Sequence, residues 1–233
     1  MATVKDKTIP LPLQGDERPK VAGVAKIKYG TTAFDRAERR GSTITLPNDS
    51  TVYKLERGRK FVAVVAQPSW MNGERGWFGG TDEKPFLAEL NRDAIDALLS
   101  YSEEFFFQFL RPESIDEVAD KTGAKPRRQG DIFAIKLPLS WKAIATRDFG
   151  KRRWLENILD NDYMYGEGNR SHNVFNTRHR LQGPASLLED GFGEPRMIGE
   201  GILKAPDHKP VKLVGPHLIQ QANGLGGQSG VVD

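Results

Sequence analysis

Residues 169–180 read N-R-S-H-N-V-F-N-T-R-H-R and bring together two of the four histidines and three arginines. Two kinds of chemistry suit such a set. In an extended chain Arg178 and Arg180 project to one face while Thr177 and His179 project to the other. Two guanidinium groups about 7 Å apart can grip phosphate oxygens bidentately. Arg170 and His172 can join them from the preceding turn, and Arg152 and Arg153 offer a second basic cluster beside Trp154. Trp70 and Trp77 supply rings able to stack on bases, the combination that single-stranded nucleic acid binding uses.

Acid–base chemistry is the alternative. All four histidines, His172, His179, His208 and His217, lie after residue 170. Asp207 and His208 form an adjacent acid–imidazole pair, and His179 can act as their partner, so His179, His208 and Asp207 are the catalytic set of a phosphoester-processing enzyme. The seven-residue step from His172 to His179 sends the two rings to opposite faces of a regular strand, so a bulge or turn must intervene if they are to converge. His172, His179, His208 and Asp207 could be imagined around a metal, but no dedicated ligand spacing such as H-E-x-x-H occurs, and neither metal nor cofactor is expected. Residues 205–210 (A-P-D-H-K-P) equally have the chemistry of a hairpin turn. Residues 76–80 (G-W-F-G-G) and 224–230 lack the context of a nucleotide-binding loop.

The elements that must position these residues follow from patterning. Residues 61–66 (F-V-A-V-V-A) form a continuous apolar run, the mark of a central strand. Residues 42–46 and 51–55 flank P-N-D-S and are expected to pair as a hairpin. Residues 67–85 read as a long glycine-rich loop holding Trp70, Trp77 and Phe78. Asn91 is a natural N-cap for a helix over 93–100. A second helix is predicted from Ser102, with Phe105, Phe106 and Phe109 on its core side, and a third from Pro112 to a stop at Gly123. Residues 131–137 predict a strand with Ile132, Ala134 and Lys136 on one face; 140–162 read as helical, interrupted at Gly150. Strands are expected again at 174–181, 197–204 and 210–214, with 218–222 closing the fold.

The fold class expected is therefore α+β, predominantly β with a helical layer from the central third (about residues 91–123 and 140–162). Residues 1–20 read as an extended N-terminal arm, 21–222 as a single domain with a sub-boundary near 123–130, and 223–233 as a flexible glycine-rich tail.

Composition narrows the function classes. The 24 glycines and 14 prolines favour a loop-rich β fold over a helical bundle. The absence of cysteine excludes disulfides, thiolate nucleophiles and cysteine-ligated metals. A net charge of +3 permits an anionic partner without demanding one. No apolar signal segment or membrane span is visible, so a cytoplasmic protein without membrane contact is expected. Three functions fit. The first is an interaction module that binds a phosphate-bearing partner, RNA or single-stranded DNA before duplex. The second is the histidine-based phosphoester enzyme. The third is an assembly subunit of a viral particle or other large complex, associating through its arm.

Overall fold

A computed structural model of the protein describes residues 26–29, 38–40, 43–48, 50–55, 61–66, 75–81, 85–101, 103–159, 162–166, 171–175, 177–189, 195–206 and 208–225. The chain divides into two compact units, Met1–Leu110 with Asn223–Asp233, and Arg111–Ala222. The division thus falls at residues 110–111 and 222–223, not near 123–130. Among the described residues strands predominate and helices are fewer, an α+β fold that is mostly β. No described helix is long and apolar enough to cross a membrane.

The first unit contains β1 (Lys26–Tyr29), β2 (Glu38–Arg40) and β3 (Thr43–Leu46), a three-stranded sheet in the order β1-β3-β2. Four further strands, β4 (Ser50–Lys54), β5 (Phe61–Ala66), β6 (Arg75–Thr81) and β7 (Pro85–Leu90), form an antiparallel meander. β5 is interior in that sheet, as its unbroken apolar run demands. The turn after β3 forms, with Ser50 N–H donating to the Pro47 carbonyl at 3.1 Å. It does not close the expected hairpin, because β3 pairs with β1 and β2 while β4 pairs with β5. Turn chemistry fixes a reversal but not the strand that pairs next.

Within the expected loop 67–85 lies β6, paired on both sides. Gly76 permits this, since a β-carbon there would strike Ile95. Helix α1 (Arg92–Ser100) starts at the Asn91 cap, whose Oδ1 accepts from Ala94 N–H at 2.9 Å. It buries Ala94, Ile95, Ala97 and Leu98 in a core with Phe78, Leu90 and Leu110. In α2 (Glu103–Phe109) only Phe106 is fully buried, edge-to-face with Phe78. Phe105 stays 40% exposed and leans on Tyr101 instead of joining the core. The chain re-enters this unit at Asn223, whose N–H donates to the Leu110 carbonyl at 2.9 Å. Gly224 then accepts from Asn91 N–H, and Leu225 bridges to Leu90 and packs on the core. Residues 223–225, expected in a flexible tail, are therefore structural; 226–233 and the arm 1–20 lie outside the described residues.

The second unit opens with α3 (Glu113–Thr122), with Pro112 at its N-cap rather than inside its first turn and Gly123 as a left-handed C-cap at φ 69°. There follow β8 (Arg127–Gln129), β9 (Ile132–Lys136), α4 (Trp141–Ala145), α5 (Trp154–Leu159), β10 (Asp162–Gly166), β11 (Ser171–Asn173), β12 (Arg180–Gln182), β13 (Ala185–Glu189), β14 (Arg196–Ala205) and β15 (His208–Gln221). One antiparallel sheet runs β10-β13-β14-β15-β9-β8, and β11 and β12 join it where β12 pairs with the second half of β14. Helices lie within both expected stretches, though residues 146–153 are not helical and Asp162 begins β10; α1 and α2 belong to the first unit and α3, α4 and α5 to the second.

A row of glycines bends this sheet. Gly183, Gly201 and Gly215 have φ 143°, 126° and 78°, on the link between β12 and β13, on β14 and on β15. A β-carbon on Gly183 would collide with the Glu200 carbonyl, and one on Gly201 with that of Gln182. The half of the sheet before the bend (β13, the start of β14, the end of β15, β9) holds α3, α4 and α5 on one face. The ties are Ser114 Oγ to Gln220 Oε1, Trp141 Nε1 to Glu200 Oε2, and Arg196 Nη1 to the Ile158 carbonyl. The distal half (β11, β12, the end of β14, the start of β15) folds over the other face. Leu181, Leu203, Leu213 and Val174 from the distal half therefore share one core with Ile132, Ala134, Met197 and Ile219. Gln129 closes the curl by donating from Nε2 to the carbonyls of Leu203 and Lys209.

Candidate functional site

The T-R-H-R segment is not a continuous strand. β11 and β12 form a hairpin in which His172 lies opposite Leu181, and Asn173 opposite Arg180. The loop between them is wound by Thr177. Its Oγ1 donates to the Val174 carbonyl at 2.7 Å and accepts from His179 N–H at 3.1 Å, and Val174 N–H donates to the His179 carbonyl at 3.0 Å. The turn needed between His172 and His179 is thus present, but the imidazole that His179 meets is another one. His179 stacks on His208, with ring centroids 5.7 Å apart and planes at 18°.

Three connections build this cluster: the β11–β12 loop gives His179, the start of β15 gives His208, and the β8–β9 turn gives Asp131. That turn has two central residues, Gly130 at φ 59° followed by Asp131, with Gln129 facing Ile132. Glycine first at positive φ is what a II′ hairpin requires. It is also a matter of space, since a β-carbon on Gly130 would lie 2.5 Å from His208 Nε2. Asp131 Oδ1 is 3.4 Å from His179 Nδ1, and its Oδ2 accepts from Gln221 Nε2 at 2.9 Å. His179 is only 4% exposed, and both its Nε2 and His208 Nδ1 are buried atoms.

An aspartate on one imidazole nitrogen fixes tautomer and ring orientation, the arrangement of an oriented base. Here the other nitrogen is shut away from solvent and the second ring is stacked face to face. The rings therefore do not converge on a common point where a reacting atom could sit. Among the described residues no group of three histidine, aspartate or glutamate side chains is placed to hold a metal ion. His172 Nε2 is buried without a hydrogen-bond partner on the inner side of the hairpin, facing Leu181. His217 is remote from this cluster in register, opposite Gly199 and Lys136. Its Nδ1 donates to the Gly215 carbonyl at 2.7 Å. Burial pushes its pKa below the ordinary histidine value; the Gly215 carbonyl and Glu200 oppose this, while Arg127 and Lys136 add to it.

The outer face of the same hairpin is basic. Strand pairing aligns Asn173, Arg180 and Lys204 in one cross-strand row, and Ser171, Gln182, Ile202 and Lys212 in the next. Neighbours in a row are spaced about 4.8 Å apart and the rows about 7 Å. Arg180, Lys204 and Lys212 form no ion pair with any described residue, and no row member is a carboxylate. Arg178 is exposed beside them on the loop, and Arg127 reaches the edge, its Nη1 donating to the Lys212 carbonyl at 2.6 Å. Patterning alone did not reveal Lys204 and Lys212. Their signal was the alternation of I-L-K and V-K-L, which becomes legible only once β12 is known to lie against β14.

Other expected binding residues are placed elsewhere. Trp77 is 3% exposed, locked in β6 of the first unit, so it is a core residue and not a stacking platform. Arg152 and Arg153 are exposed on the link between α4 and α5, helices tied to Glu200 and Arg196 in the proximal half of the sheet. Arg170, Asp207 and Trp70 lie outside the described residues. Comparison with family models, curated proteins and solved structures finds no match to this chain.

Proposed function

We propose that the second unit binds a single-stranded nucleic acid, through its phosphates, on the outer face of the distal half-sheet. The observation that carries this reading is the row Arg180–Lys204, flanked by Lys212 and Arg178, with no carboxylate among its members. Arg180, Lys204 and Lys212 form no ion pair with a described residue, so their charges can meet phosphate oxygens and release the counterions condensed on the nucleic acid. The described members of these rows all lie on strands, with no helix among them to enter a groove, which favours a flexible strand over a duplex. Its described members include no aromatic ring. Contact is therefore to the backbone, with Ser171, Asn173 and Gln182 as neutral hydrogen-bonding groups, and sequence preference is weak.

The test is anisotropy of a labelled oligouridylate titrated with the full chain across a range of salt. Removing the three cations together (Arg180→Ala, Lys204→Ala, Lys212→Ala) is expected to weaken binding roughly 10- to 100-fold at low salt, and to flatten the plot of log K against log salt by about 2. No binding by the wild-type chain at low ionic strength, or equal binding by the triple variant, rejects the reading.

The stacking of His179 on His208 is the one observation in favour of a phosphoester enzyme. The burial of His179 Nε2 weighs against it, because a general base must lie within hydrogen-bond reach of its substrate. The assembly reading drew on the arm and the tail, and the described part of that tail is built into the first unit.

A further inference from the structure

We infer that Asp131 is a positioning residue for the basic row, acting through His179; this rests on the reading of the outer face as a phosphate-binding surface. The chemistry of the partners assigns the proton. Thr177 spends its hydroxyl hydrogen on the Val174 carbonyl, so toward His179 it can only accept. His179 Nδ1 lies 3.3 Å from that hydroxyl oxygen and 3.4 Å from Asp131 Oδ1. Both neighbours are acceptors, so Nδ1 carries hydrogen, hydrogen-bonded to Thr177 Oγ1 and in charge contact with Asp131 Oδ1. The carboxylate in turn has a partner on each oxygen, the His179 imidazole 3.4 Å from Oδ1 and the Gln221 amide donating to Oδ2.

The two ends of this link belong to different halves of the bent sheet. Asp131 is anchored to the proximal half. Its carbonyl accepts from Ala222 N–H at 2.7 Å, and Gln221 is the last residue of β15, paired there with Ile132 of β9. His179 sits in the distal hairpin, between Arg178 and Arg180. The link therefore straps the mouth of the curl, and the exposed arginines on either side of His179 inherit their positions from it. The His208 ring, stacked on His179 and seated against Gly130, holds the imidazole from its other side. A loop so held presents its cations already ordered, which spares part of the ordering cost on binding.

Two readouts test the role separately. Trypsin cleaves after Arg178 and Arg180 when the loop opens, whether or not nucleic acid binds. In Asp131→Ala, cleavage at these sites is expected to speed up about tenfold, and oligouridylate affinity to fall about fivefold. The double variant Asp131→Asn with Gln221→Glu reverses donor and acceptor. The asparagine carbonyl still receives the imidazole N–H while its amide donates to the new carboxylate, so both quantities should return toward wild type. Cleavage at the wild-type rate in Asp131→Ala rejects the strap. Faster cleavage with unchanged affinity rejects its coupling to binding. If the wild-type chain binds, the triple cation variant does not, and Asp131→Ala behaves as wild type, the outer face stands and the positioning role falls.

Discussion

The two faces of the β11–β12 hairpin share a dozen residues and do opposite things. On the inner side His172, Val174, His179 and Leu181 are packed into the curl, with Val174 and Leu181 wholly buried. On the outer side Ser171, Asn173, Arg180 and Gln182 are in solvent. Inner residues supply stability through buried area, whereas outer charges contribute little to folding because water screens them. T-R-H-R is thus not one motif but two interleaved ones, separated by strand periodicity. A histidine beside two arginines in sequence need not share a site with them in space.

Substitutions on either side can break that contrast. Leu181→Ala leaves a cavity in the inner core and is expected to cost about 2–5 kcal/mol in urea denaturation of the full chain. A loss below roughly 1 kcal/mol would mean the inner face is not packed as described. Gly201→Ala puts a β-carbon into the Gln182 carbonyl at φ 126°, and should cost about 1–3 kcal/mol or more by loosening the bend that separates the faces. Gly130→Ala strains the turn under His208 at φ 59°, and about 1–3 kcal/mol is expected by the same measurement.

His217 adds a pH term. Its folded-state pKa is lowered, so the unfolded chain takes up the proton first as pH falls. The stability it contributes is complete above the ordinary value of 6.5 and is lost as pH drops below it toward the lowered folded value. The urea midpoint of wild type minus that of His217→Asn should therefore fall over that window and stay level above it. A difference that does not change with pH would show that burial does not control this ring. Least of all should change on the outer side, where Gln182→Ala is expected within about 0.5 kcal/mol of wild type.

Much of the scaffold could be read from local chemistry. The Asn91 cap, the Gly123 stop, the interior strand at 61–66 and the apolar strand at 132–136 each follow from side chains acting over a few residues. What failed depended on partners distant in sequence. Residues 75–81 seemed a loop because their glycines signal flexibility; in the fold those glycines let α1 approach a central strand, and they carry Trp77 inward. The expected hairpin across Pro47 failed because its strands found better partners elsewhere. At the site, the His179–His208 pairing was visible as a possibility of residue type, but Asp131 was missed entirely. It was read as the start of a strand, and only the bend at Gly183, Gly201 and Gly215 carries the distal hairpin over to it.

The return of Asn223 to Leu110 has a consequence for synthesis. The first unit needs Gly224 to occupy the amide at the start of α1, and Leu225 to finish its hydrophobic packing. At a ribosome adding about 5–20 residues per second, those residues emerge several seconds to some tens of seconds after Leu110. In that interval the nascent first unit has an unsealed seam, while Arg111–Ala222 holds every strand and helix of its own and can fold at once. The part of the chain made later is thus poised to mature earlier, and chaperone demand during translation should concentrate on the part made first.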